Sequence, residues 1–157
     1  MQVLKRNYLL FYFIATTVSF GCGKKSQTAP TPPVVPPPTF VLNSLEINKI
    51  SVSIGTTSYS IPANAVVKLY FNAAVDKNSV TTASITLSEN GITNVASAFS
   101  YEKNDSVVVI SPNTGLKGLT RYFITANSSL QSAQKSKLGS DLNSPFITQI
   151  DSTDKFT

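Results

Sequence analysis

From residue 40 onward the apolar residues come in short runs that alternate in twos, with turn signals between the runs. Side chains of a strand point to opposite faces in turn, so this period marks half-buried strands and not an amphipathic helix. In VVKLYFN, Val67, Leu69 and Phe71 share one face while Lys68 and Tyr70 share the other. ASITLS repeats the pattern with Ile85 and Leu87 inward, and Asn90-Gly91 follows. Both residues tolerate positive φ, as a type I′ hairpin turn requires. ITNVASAFSY reads as the return strand, and Asn104-Asp105 turns the chain into SVVVIS, which Pro112 ends. RYFITANSS comes after the glycines at 115 and 118. KISVSI at the start and PFITQI at the end bring the total to about seven antiparallel strands, an all-β sandwich over residues 40–150. NSVTTAS and LQSAQKSKLG are each expected to hold one short turn of helix.

The chain ahead of residue 40 has a different grammar. Residues 1–7 carry Lys5 and Arg6, and residues 8–20, YLLFYFIATTVSF, run without a charge. A basic start and a 7–15-residue apolar run make a secretory signal peptide, whereas a membrane-spanning helix needs about 20 apolar residues. Ser19-Phe20-Gly21-Cys22 then resembles the lipobox of a bacterial lipoprotein, with Gly21 and the only cysteine matching and Ser19 and Phe20 departing in the manner of Bacteroidetes-type members. The resemblance implies cleavage after Gly21 and lipidation of Cys22, whose thiolate is the nucleophile such chemistry needs. Two or more acyl chains hold a protein stably at a membrane, where one is marginal. A single cysteine also excludes an internal disulfide.

Between Cys22 and Thr39 six prolines, at 30, 32, 33, 36, 37 and 38, favour polyproline II over a packed core. At ~3.1 Å per residue, Lys24 to Thr39 reaches about 50 Å as a semi-rigid spacer. The expected organisation is therefore residues 1–21 signal peptide, 22–39 lipidated cysteine and Pro-rich tether, 40–150 sandwich, and 151–157 tail. No Asp or Glu follows Cys22 before Glu46. Acidic residues there would resemble a surface-export signal, so the expected place is the outer membrane, periplasmic side favoured over the cell surface.

Several linked segments of the sandwich resemble the bacterial Ig-like domain of the SbsA or S-layer-protein type over about residues 45–148. Phe71-Asn72, Val75-Asp76 and Ser79-Val80 fall on its first pattern, and Val108, Ile110 and Pro112 on its later strand. Leu116 through Tyr122 match its last segment, where the likeness implies a tyrosine corner, a buried ring whose hydroxyl bonds nearby backbone. The fold expected is thus an Ig-like β-sandwich, preceded by a signal peptide and Pro-rich linker. Asp76 is expected to cap the turn after Phe71-Asn72. The tail PFITQIDSTDKFT resembles the join between such a domain and a glucoamylase-like glycoside hydrolase, which implies either a short relative or the leading part of a longer protein.

Histidine is absent, so a Ser-His-Asp or Cys-His arrangement cannot form within this chain. The acidic residues sit mainly on expected turns, without the facing pair that glycoside hydrolysis needs or the clustered set that calcium needs. No catalytic residue, metal site or cofactor is expected. Net charge is +5, or +3 without Lys5 and Arg6, and the lysines are scattered, so no nucleic-acid footprint is read. The candidate contacts are surface groups. VVVI is apolar on both faces, which places Val107 and Val109 outward, and Phe123 lies outward between Tyr122 and Ile124. Tyr59, Tyr70 and Tyr101 are the expected exposed aromatics. Together these imply a lipid-anchored, non-catalytic module of the bacterial cell envelope, held to the membrane through Cys22. It would act as a spacer or interaction domain for an adjoining or partner glycan-processing domain. The alternative is a carbohydrate-binding or adhesion module, and it depends on the three tyrosines converging on one face.

Overall fold

The computed structural model describes residues 38–150, which form ten strands and one 3-10 turn. The strands are β1 (Leu42–Ile47), β2 (Ile50–Val52), β3 (Ser58–Ile61), β4 (Val67–Phe71), β5 (Ile85–Glu89), β6 (Thr93–Asn94), β7 (Ser97–Glu102), β8 (Val107–Pro112), β9 (Arg121–Ala126) and β10 (Leu142–Thr148). They build two five-stranded sheets, β2-β1-β4-β8-β7 and β3-β10-β9-β5-β6. The all-β sandwich expected from the alternation is what forms. Asn90 and Gly91 have φ of 52° and 73°, and the Ile92 amide bonds the Glu89 carbonyl at 3.0 Å. The hairpin turn is therefore the type that Asn-Gly selects. Asn48 and Lys49 make a second left-handed pair, at 50° and 68°, between β1 and β2.

Four details differ from the sequence reading. LNSLEI forms β1, a central strand of the first sheet, although only Leu45 and Ile47 of it are fully buried. ITNVASAFSY is two strands that belong to different sheets, because the chain crosses at Val95-Ala96 and β6 pairs with β5 while β7 pairs with β8. β3 runs parallel to β10, so the sheets are not wholly antiparallel. Finally, LQSAQKSKLG holds no helix. Gln131 and Lys137 form a bridge, the Lys135 amide bonds Ser132, and φ of Lys135 is 65°. That tight reversal buries both Leu130 and Leu138. NSVTTAS contributes only the end of a 3-10 turn at Lys77–Ser79.

The core lies between the sheets. Leu45, Ile47, Val67, Leu69, Phe71, Val108 and Ile110 face Ile61, Ile85, Leu87, Tyr122, Ile124, Leu142 and Phe146. Tyr122 is 1% exposed, and its ring stacks on Phe146 with centroids 5.5 Å apart. Its hydroxyl accepts the Lys117 amide at 2.9 Å, the tyrosine-corner geometry. The loop it holds is also tied by Thr148, whose hydroxyl donates to the Lys117 carbonyl at 2.6 Å and accepts the Thr120 amide at 3.0 Å. Tyr122→Phe keeps the ring and strands the Lys117 amide. Leaving a part-buried donor unpaired costs about 1–3 kcal/mol, so urea unfolding should show a loss in that range with an unchanged slope.

Candidate functional site

Phe40 is where the described chain enters the sandwich. Phe40 is 1% exposed, stacks on Phe71 at 5.0 Å, and bridges in parallel to Leu138. Its carbonyl accepts the Gly139 amide at 2.8 Å. A Cβ at Gly139 would stand 3.3 Å from the Thr39 methyl and 3.4 Å from the Phe40 carbonyl, so a side chain there would crowd the entering strand. Asn72 completes the junction. Its Oδ1 accepts the Val41 amide at 2.9 Å, and its Nδ2 donates to the Thr39 carbonyl at 2.8 Å. One amide side chain thus mimics a strand partner for two residues, since it carries both an acceptor and donors. Sequence reasoning placed Asn72 only within a family pattern; an Asn directly after an alternating strand was the available signal. Cys22 and residues 151–157 lie outside the described residues.

On the outer face of the first sheet Val107 and Val109 point outward as the alternation predicts, yet they are not exposed. Their exposures are only 1% and 5%. The register explains this. Tyr70 and Glu102 flank Val107, while Lys68 and Ser100 flank Val109. Lys68 on β4 reaches Glu102 on β7 at 2.7 Å, so the ion pair passes diagonally over β8. An exposed ion pair contributes at most about 1 kcal/mol, whereas burying a valine contributes about 1.5–3 kcal/mol. The stems of Lys68 and Glu102, more than their charges, make this cover. On the neighbouring side the Tyr70 hydroxyl donates to Glu46 at 2.6 Å, and Lys103 lies 5.0 Å above the Tyr70 ring.

The three tyrosines do not converge. Tyr70 is half-buried on the outer face of the first sheet, and Tyr59 is on β3 of the second sheet, 67% exposed. Tyr101, expected to be exposed, packs half-buried against the core at the edge of the first sheet, with Lys77 5.1 Å above its ring. Its pKa is raised, mainly by burial. Phe123 is half-buried on the outer face of the second sheet, where the turn at Gly91 lies against its ring. Asp76 caps the 3-10 turn as anticipated, its Oδ1 accepting the Asn78 amide at 3.1 Å. A hydrogen bond from Lys135 is the main cause holding its carboxyl below the ordinary range. Among the described residues no three His, Cys, Asp or Glu side chains group as metal ligands, and no helix is long and apolar enough to cross a membrane.

Two measurements probe these arrangements. Asn72→Ala should speed hydrogen exchange at the Val41 amide far more than at Leu69, whose amide should only follow the global stability loss of about 1 kcal/mol. Tyr70 is pushed up from 10.0 to about 12, first by its hydrogen bond to Glu46. A raised pKa stabilises the fold below the ordinary value and loses that contribution as pH climbs towards the raised one. Spectrophotometric titration should therefore show a late tyrosine step near 12, absent in Tyr70→Phe and moved to lower pH in Glu46→Gln.

The family described as bacterial Ig-like domain matches residues 44–148. Among curated protein sequences none matches. Among solved structures, native alpha-2-macroglobulin from Escherichia coli aligns with a TM-score of 0.53 at 12% identity, over 72% of this chain and 6% of that one. A crystal structure of the same protein spanning domains MG0-NIE-MG1 gives 0.52 at 13%, over 72% of this chain and 33% of that one. The N-terminal part of the bacterial S-layer protein SbsC gives 0.49 at 12%, over 71% and 24%. The chain spans a third or less of each of these, and the likeness to the two macroglobulin structures concerns the fold alone.

Proposed function

The chain belongs to the bacterial Ig-like domain family, and from that premise we propose that it is a non-catalytic module of the cell envelope, anchored through lipid on Cys22 and acting as a spacer. The observation that carries this reading is where the chain enters and leaves the sandwich. Phe40 sits beside Leu138 and Gly139, just ahead of β10. Gln149 bonds Ile61 just beyond the far end of β10. Entry and exit are thus separated by the seven residues of β10, roughly 24 Å at strand rise. A module built this way puts whatever adjoins residue 150 at the end remote from the tether. The resemblance of the tail to a glycosidase join makes a glycan-processing domain the partner this reading assigns. Scattered tyrosines remove the aromatic platform that a sugar-binding role would use.

Lipid anchoring supplies a direct test. Cys22→Ala in the full chain should abolish incorporation of labelled fatty acid and shift the protein from the membrane to the soluble fraction. Retention in the membrane with label still incorporated would refute the anchor.

A further inference from the structure

The four edges of the two sheets are not equally guarded. β2 has three residues and β6 has two. β3 has four, with a register shift and a left-handed Ser60 at φ 58°. The part of β10 ahead of β3 carries Pro145. Short strands, bulges and prolines are how proteins blunt edges against pairing with other chains. β7 has none of these. It is six residues long, pairs with β8 in unbroken register, and holds no proline.

The ladder also fixes which backbone groups of β7 are free. The Asn113 amide bonds the Ala96 carbonyl, and hydrogen-bonded residues alternate along an antiparallel strand. Ala98, Ser100 and Glu102 therefore bond β8, whereas the amides and carbonyls of Ser97, Phe99 and Tyr101 point away from it. The Phe71 amide bonding Ser106 gives the same phase from the other side of β8. On the inner side of this edge, Phe99 and Tyr101, with Val80 and Val95, are only partly covered. On the outer side, Ala98 and Ser100 are small and exposed.

We propose that β7 is a self-association edge, on which a second copy of this chain pairs antiparallel about a two-fold axis at Phe99. The pattern is self-complementary. Phe99 of each copy exchanges two bonds with the other, and Ser97 exchanges two with Tyr101 in each direction, six in all. The outer neighbours would be Ala98 against Ser100, and Glu102, already paired with Lys68, would face Ala96, so no charges collide. The inner rings of Phe99 meet across the axis and close the open side of both sandwiches. This inference does not depend on the lipid anchor.

The test uses the full chain in a Cys22→Ala background, which removes the only native thiol. Opposed residues of a non-hydrogen-bonded pair stand about 4.5 Å apart at Cα, within disulfide reach, while diagonal positions lie at about 7–8 Å. Mixed Ala98→Cys and Ser100→Cys chains should oxidise to a dimer, and either chain alone should remain a monomer on a non-reducing gel. Sedimentation should show a dimer for the Cys22→Ala parent and a monomer for Ser100→Lys, which sets like charges on diagonal positions at an exposed site. A monomeric parent chain, cross-linking of either cysteine variant alone, or a Ser100→Lys dimer with an unchanged melting curve would each overturn the proposal.

Discussion

The connection from β8 to β9 has to carry the chain from one sheet to the other across the end of the sandwich, and Tyr122 is the residue that fixes it. Its ring belongs to the core of the second sheet, while its hydroxyl holds the Lys117 amide in the crossing loop. Thr148, at the end of β10, grips the same loop from the adjacent strand. With this loop held, Leu116 is buried and β9 runs in register against both β5 and β10. A backbone donor at such a place must have a partner, and a phenol supplies one without adding a charge to the core.

The strand before that loop shows how a sheet can be apolar on both sides without a second layer. Val108 and Ile110 face the core, and Val107 and Val109 are roofed by side chains from the strands on either hand. Lys68 and Glu102 stand two strands apart, and the closed distance between them is possible because the intervening residues are only valines. What composition suggests is a sticky patch is therefore an insulated one, whose exposed atoms are a carboxylate and an ammonium group.

The alternation of VVKLYFN, the Asn-Gly turn and the Leu116–Tyr122 corner were legible because each follows from local stereochemistry or from one ring needing one partner. The misreadings have a common origin in contacts that no local pattern records. Nothing between Thr93 and Tyr101 is a glycine or proline, so the change of sheet at Val95-Ala96 left no mark. LNSLEI escapes the sequence pattern because its outward residues are polar and its partners on β4, from Val67 to Phe71, lie far along the chain. The burial of Val107 and Val109 depends on Lys68 and Tyr70 in one segment and Glu102 in another, and Tyr101 was misjudged because an edge position can still look inward. The junction residue Asn72 acts on backbone 31 and 33 positions away, a distance at which residue type alone says nothing.

The placement of entry and exit at the two ends of β10 has a mechanical side. A pull applied between Thr39 and Ile150 runs nearly parallel to the strands, and ladder hydrogen bonds lie across them. The β1–β4 and β9–β10 ladders are then loaded in shear, with their bonds sharing the strain together instead of opening one at a time. The first elements to feel the load are the Asn72 clamp and the Phe40–Gly139 bond, ahead of either ladder. A load entering at Thr39 would thus be taken up at a small, separable junction before it reaches the core.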